Sequence, residues 1–259
     1  MLNLKNQLLK LKKKKTKNSL KNIWNINKPN GLTPLEALSL LRLKYLELAN
    51  KNLTYAGRLD PLASGVMLVL AGEEVKNKQE YLNLNKVYEF SVLFGLKTDT
   101  GDILGLVSSF DQEKPSPDFL KKDINKLVGS FKQNYPKYSS PRISGLKQFS
   151  KQVEIFDLKF KGVREISGAS LLENIERRIG VVDGDFRQAE ILKVWQETLE
   201  KYLNHDFLIA DVSAVVSSGV YIRTLSERVG ELVSKPALAF KIRRTAVGDF
   251  KIADSVSVD

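Results

Sequence analysis

The sequence predicts an α+β chain, and three observations carry that prediction. Residues 86–95, Lys-Val-Tyr-Glu-Phe-Ser-Val-Leu-Phe-Gly, alternate with period two and set Tyr88, Phe90, Val92 and Phe94 on one strand face. Residues 186–203 instead carry Ala189, Leu192, Trp195, Leu199 and Tyr202 along one side of a helix. Strand-like and helix-like segments intermingle over 259 residues, of which 42% are hydrophobic, enough to bury a core.

Composition excludes several chemistries. There is no cysteine, so disulfides, Cys-based zinc sites and a thiol nucleophile are ruled out. The single histidine, His205, rules out a multi-His metal site and would have to serve any His-dependent triad. The net charge of +11 suggests a nucleic-acid partner. Most of that excess is local: residues 1–28 hold nine lysines and no acid. Residues 1–21 therefore read as a flexible basic arm, in which Lys12–Lys15 is either a solvated tail or a phosphate-binding run. No stretch approaches the roughly 20 apolar residues of a membrane span. The lysine-rich start lacks the apolar region of a secretory signal, so a cytoplasmic protein is expected.

In chain order, Ile23–Pro29 is a short strand ending in a Pro-Asn-Gly turn. Thr33-Pro34-Leu35-Glu36 opens a helix with a capping box, expected to run to about residue 49. The stretch Gly57-Arg58-Leu59-Asp60-Pro61-Leu62-Ala63-Ser64-Gly65 follows, then the apolar run Val66–Leu70, which reads as a buried strand. Pro61 restricts the backbone at Asp60 and stiffens the turn. Local sequence leaves two roles open for Asp60, a turn cap or a mounted catalytic carboxylate. Tyr88 likewise suits either the core or a site. A helix is expected at 73–83, a polar loop at 98–102, a strand at 103–108 and a helix from Pro115-Ser116-Pro117 to about 128. The loop at 98–102 lacks the spacing of an EF-hand.

Residues 133–145 interleave tyrosines with Lys and Arg, which suits either unpaired RNA or a plain surface loop. A strand at 152–160 is followed by a stretch, 161–185, with no assignable pattern. Phe207–Val216 reads as a strand, residues 220–233 as a helix and 240–250 as a basic strand. Arg223 falls near that helix N-terminus, where the dipole disfavours a cation. It is therefore either an exposed arginine or one with a specific anionic partner.

Four separated stretches, in order, are similar to one family. These are Asn27-Lys28-Pro29-Asn30-Gly31; Gly57 to Val66; Lys86-Val87-Tyr88 through Gly95 with Thr98-Asp99-Thr100 and Asp102; and Ser218-Gly219-Val220-Tyr221-Ile222-Arg223-Thr224 together with Arg243-Arg244-Thr245, Gly248 and Phe250. With them the chain resembles the TruB family of pseudouridine synthases, which isomerise the T-loop uridine of tRNA at its position 55. The resemblance implies a pseudouridine synthase fold, a central mixed but mostly antiparallel sheet flanked by helices. It implies Asp60 as nucleophile, Tyr88 as the ring that packs on the target base, and Arg223 as the ion-pair partner of Asp60. Lys28 and Pro29 would support the catalytic loop, and Ile242 would replace a usual Leu. Tyr55, Gly57, Arg58, Tyr221 and Arg243 would complete the substrate surroundings. No cofactor and no metal are implied, and the partner would be tRNA bound by a monomer without an obligatory protein partner.

Three departures stand beside the resemblance. Family members usually have His five residues before the catalytic Asp, where this chain has Tyr55. The segment after Ser144-Gly145-Leu146-Lys147 is shortened, and 161–205 reads as an insertion that takes over RNA clamping. The catalytic domain is expected to span 22–254, with no C-terminal PUA-type domain.

Overall fold

A computed structural model of the chain describes residues 19, 20, 22–136, 138 and 150–258. The basic arm expected at 1–21 lies outside them apart from Ser19 and Leu20, and so does most of the Tyr/Lys/Arg loop, at 137 and 139–149. The first strands are β1 (Ser19–Leu20) and β2 (Ile23–Lys28), and helix α1 (Pro34–Lys44) follows. Thr33 and Glu36 form the expected capping box. The helix is shorter than its periodicity suggests, because Tyr45 turns extended and a 3-10 turn at Leu46–Leu48 buries Leu48 separately.

β3 (Leu53–Ala56) leads through the Asp60 turn into β4 (Ala63–Ala71). The helix expected at 73–83 splits into a 3-10 segment and α2 (Lys78–Asn83). β5 (Lys86–Phe94) is followed by a small ribbon, β6 (Leu96–Thr98) and β7 (Val107–Phe110). Ile103 and Leu104 are buried but not in a strand, because side-chain bonds from Thr98, Thr100 and Asp102 shape that segment into bends. α3 (Pro117–Asp123) precedes β8 (Gly129–Asn134).

The stretch without a pattern resolves into one long strand and a helix. β9 (Ser150–Ser167) continues past the expected end, then α4 (Gly168–Gly180) and α5 (Gln188–Leu199) form a helical pair. β10 (Asp206–Val216), α6 (Ile222–Leu232), β11 (Ala237–Val247), β12 (Phe250–Lys251) and β13 (Val256–Ser257) complete the chain. Among the described residues no helix is long and apolar enough to cross a membrane.

Among the described residues eleven strands join one sheet, with the path β1-β2-β4-β11-β5-β10-β9-β8 and β3, β12 and β13 attached at its sides. Pairing is antiparallel except for β4 with β11 and β2 with β13, so the sheet is mixed and mostly antiparallel, as expected. β4 is buried on both faces, which explains its unbroken apolar run. One sheet face packs Phe90, Val92, Val212 and Ala214 against α1 and α6. The other packs Leu93, Ile209 and Leu238 against Leu171, Ile175, Ile191 and Trp195 of the helical pair. Trp195 is fully buried, and its Nε1 donates to the Ile103 carbonyl at 3.1 Å. Trp195→Ala should therefore lower the unfolding free energy by ~3–5 kcal/mol, as read by urea denaturation.

Candidate active site

The site begins where β4 and β11 run side by side. Their register pairs Ala63 with Ile242 and Gly65 with Arg244, while β5 on the far side of β11 pairs Phe90 with Ile242 and Tyr88 with Arg244. Ile242, Arg244 and Tyr88 thus point to one face beside the turn that carries Asp60. The close approach depends on Gly65, at φ 107°: a Cβ there would sit 2.1 Å from the Arg244 carbonyl oxygen.

Two buried cations tie down the Asp60 turn. Arg244 donates to the carbonyls of Val66 (2.7 Å), Gly57 (2.8 Å) and Arg58 (3.4 Å), and reaches the Tyr88 hydroxyl at 3.4 Å. Lys28, fully buried at the end of β2, donates to the carbonyls of Pro29 (2.8 Å), Leu32 (2.7 Å) and Pro61 (3.3 Å). The turn is pinned at both ends, and Asp60 projects from its middle.

Arg223 comes from the first turn of α6 and is buried. Its Nε donates to Asp60 Oδ2 at 2.9 Å, its Nη1 to the Thr100 carbonyl at 2.6 Å, and its Nη2 to the Tyr138 carbonyl at 3.4 Å. A second carboxylate, Asp102, lies 3.9 Å from Nε. Burial opposes the charge on Arg223, but Asp60 and Asp102 outweigh it and raise its pKa. The unfavourable dipole position noted in the sequence is thereby answered by two anions. Asp102 is itself pushed up by burial, against the pull of Arg223.

These groups line a cavity of about 830 Å³. Asp60, Tyr88, Arg223, Gly57, Arg58, Tyr221 and Ile242 of the expected set all border it. The other four do not. Lys28 lies behind the turn and Pro29 beside it, and Arg243 is exposed on the opposite strand face, across from Glu89. Tyr55 is half-buried on β3 against the core, with the Lys78 ammonium 5.4 Å from its ring centroid.

Several bordering residues were not singled out from the sequence. Asp102 and Thr100 sit within the quoted Thr-Asp-Thr-x-Asp block, and two acids so close to a turn were a usable signal. Arg244 sits in the Arg-Arg-Thr stretch, but only the strand register separates its role from that of Arg243. Asp185, Phe186 and Arg187 come from the corner between α4 and α5, and no local pattern marked them. Among the described residues no group of three or more His, Asp or Glu side chains is placed to hold a metal.

Burial lowers the pKa of Lys28 to about 7, with nearby Asp60 acting in the opposite sense and Arg244 in the same sense as burial. An unfolded lysine titrates near about 10.4. Between those values the unfolded chain binds more protons at this residue than the folded one, so the Lys28 contribution makes stability rise with pH. Below about 7 both states are charged and the burial cost is felt in full. In urea unfolding followed upward from a pH of about 7, Lys28→Met should flatten this rise relative to the wild type.

Comparison with known proteins places this geometry. The family model described as TruB family pseudouridylate synthase (N terminal domain) matches residues 46–178. The tRNA pseudouridine synthase B of Alkaliphilus oremlandii is 29% identical over 237 residues, which cover 92% of this chain and 68% of that protein. The protein of the same name from Wolbachia pipientis is 25% identical over 240 residues, covering 92% of this chain and 59% of its own. The crystal structure of a Cbf5-Nop10-Gar1 complex shares the fold, with a TM-score of 0.58 at 18% identity over 91% of this chain and 51% of that one. The chain thus spans about half to two-thirds of the length of these proteins. The matched region takes in more than half of the residues, including the Asp60 turn and the Tyr88 strand, and the chain belongs to the TruB family of pseudouridylate synthases.

Proposed function

We propose that the chain converts a uridine of tRNA into pseudouridine, with Asp60 as nucleophile and the T-loop uridine at position 55 as target. The observation that carries this reading is the Asp60 carboxylate held 2.9 Å from the buried Arg223 guanidinium at the wall of an open cavity, with Tyr88 beside it. The names of the relatives, tRNA pseudouridine synthase B, support the same reaction.

Uridine and pseudouridine are isomers. The bond between ribose C1′ and N1 breaks, a bond between C1′ and C5 forms, C5 loses a proton and N1 gains one. No electron acceptor or group donor takes part. The Asp60 carboxylate adds to the substrate to divide the exchange into two easier steps, and is released as the new carbon–carbon bond forms. Arg223 holds that carboxylate in place, and its bonds to the Thr100 and Tyr138 carbonyls fix the direction of the fork. The Tyr88 ring packs on the base once it has left its RNA stack, and assists removal of the C5 proton. Arg244 and Lys28 keep the turn from shifting, which matters because small misplacements of a reacting group slow reactions severely.

A second reading keeps the chemistry but changes the RNA target. It is favoured by Tyr55, which stands where the family resemblance implies a His and lies outside the cavity wall. Mapping pseudouridine on unmodified tRNA treated with the protein separates the two: product in the T-loop supports the first, and product only elsewhere selects the second. Asp60→Asn should reduce product formation on the order of 10⁴-fold or more, the scale on which loss of a nucleophile acts. Wild-type protein that makes no more product than Asp60→Asn refutes both readings. Arg223→Ala should reduce kcat by about 10²–10³-fold with a smaller effect on tRNA affinity, as for loss of one preorganised donor. Single-turnover rates beside filter-binding constants would check it, and a near-normal rate would remove Arg223 from the reaction.

A further inference from the structure

The helical pair α4–α5 reaches the cavity only through its corner, and that corner is built in an unusual way. Arg187 has φ 64° and ψ 29°, left-handed values at which glycine is the favoured residue. The corner has no need of a side chain there for its own turn. Gln188 already closes it, accepting from the Phe186 amide at 2.8 Å and donating to the Val182 and Gly184 carbonyls at 3.1 and 2.6 Å. An arginine held in a glycine-type conformation points to a use for its guanidinium.

The guanidinium lies at the cavity. Arg187 borders it, its Nη2 donates to Asp99 Oδ2 at 3.1 Å, and its Cζ stands 5.0 Å from the centroid of the Tyr138 ring. The Tyr138 hydroxyl donates to the same Asp99 oxygen at 3.0 Å. Both side chains of the ion pair remain partly exposed, Arg187 at 35% and Asp99 at 22%. The corner is fixed to the body at Gly31: the Asp183 amide meets the Gly31 carbonyl at 3.4 Å, and Val181 backs so closely on Gly31 that a Cβ on that glycine would sit 2.5 Å from the Val181 carbonyl oxygen. Arg187 is thus a planar, partly solvated cation on a rigid mount, on the same cavity as Asp60.

We propose that Arg187 is a substrate-contacting residue that binds a phosphate of the RNA strand flanking the flipped uridine, with the Asp99 carboxylate occupying the phosphate's place in the free protein. The inference rests on the RNA-modifying function proposed above. The exchange is chemically matched, since a guanidinium fork binds carboxylate and phosphate oxygens in the same manner. Tyr138, already against the guanidinium, is placed to stack on an unpaired base next to that phosphate.

The test uses the full-length protein and unmodified tRNA transcript, with binding read by fluorescence anisotropy over a salt series. Arg187→Gly suits the left-handed backbone and so removes the guanidinium without straining the corner. It should weaken tRNA binding about tenfold, the value of one charge-assisted contact, and reduce the slope of log affinity against log salt by about one. KM should rise more than kcat falls. Arg187→Lys should retain the salt slope. If melting shows Arg187→Gly to be unfolded at the assay temperature, Arg187→Gln carries the same expectations. Wild-type affinity and salt slope in the folded variants would overturn the proposal and leave Arg187 as a lock on the corner. Because binding is read without turnover, a wild type that makes no pseudouridine would remove the isomerase reading while the phosphate contact still stood or fell on its own result.

Discussion

The structure turns on a cation buried at the wrong end of a helix. Arg223 sits in the first turn of α6, where both the dipole and the loss of water disfavour its charge. Its place is tenable only because Asp60 and Asp102 are brought to it from two other parts of the chain. Removing one partner of such a buried pair leaves the other uncompensated, at a cost that large-to-small changes in the core scarcely exceed. The pairing is therefore a constraint on the fold as well as a feature of the site. It requires the turn after β3, the loop after β6 and the start of α6 to converge on one point.

That convergence is enforced by the sheet. β4 and β11 run parallel for three residue pairs, with Gly65 against the Arg244 backbone, and this close register aims Arg244 under the Asp60 turn. Arg244 supplies donors to the carbonyls of Gly57 and Arg58, and Lys28 adds a second donor to the Pro61 carbonyl, which already accepts from the Gly31 amide at 2.9 Å. Arg223 is thereby held between two carboxylates, the partly exposed Asp60 and the buried Asp102, while Arg244 and Lys28 brace the turn from behind.

Much of this was legible in the sequence. The period-two run at 86–94 marked β5 and the face of Tyr88, and the rigid Asp-Pro turn marked the mount for Asp60. The misfit of Arg223 with the helix dipole correctly raised the question of an anionic partner. Other features were not legible because they depend on register. Neighbouring arginines 243 and 244 look alike in sequence, yet one is exposed across from Glu89 and the other buried beneath the Asp60 turn. The stretch 161–185 joins the solvated end of a long strand to the whole of α4, whose buried Leu171, Ile175 and Ile179 recur at helical spacing, but glycines at 162, 168, 180 and 184 cut that run into short apolar pieces. The corner at 185–187 acquires its position from the packing of Trp195 and its neighbours, which no local spacing encodes.

The helical pair also has a topological property. It is inserted between β9 and β10, which are antiparallel neighbours, and Ser167 and Asp206 stand opposite each other in their ladder. A tight hairpin turn would close that gap. The sheet order and the Asp60–Arg223 pair would then be unchanged, while Leu93, Ile209 and Leu238 would lose their cover. The chain is thus divisible by connectivity but not by packing. The corner can be rewritten residue by residue without disturbing the sheet that holds Asp60, whereas deleting the pair outright would expose an apolar face. Variation in the cavity wall can therefore accumulate on one hairpin while the Asp60–Arg223 pair stays fixed.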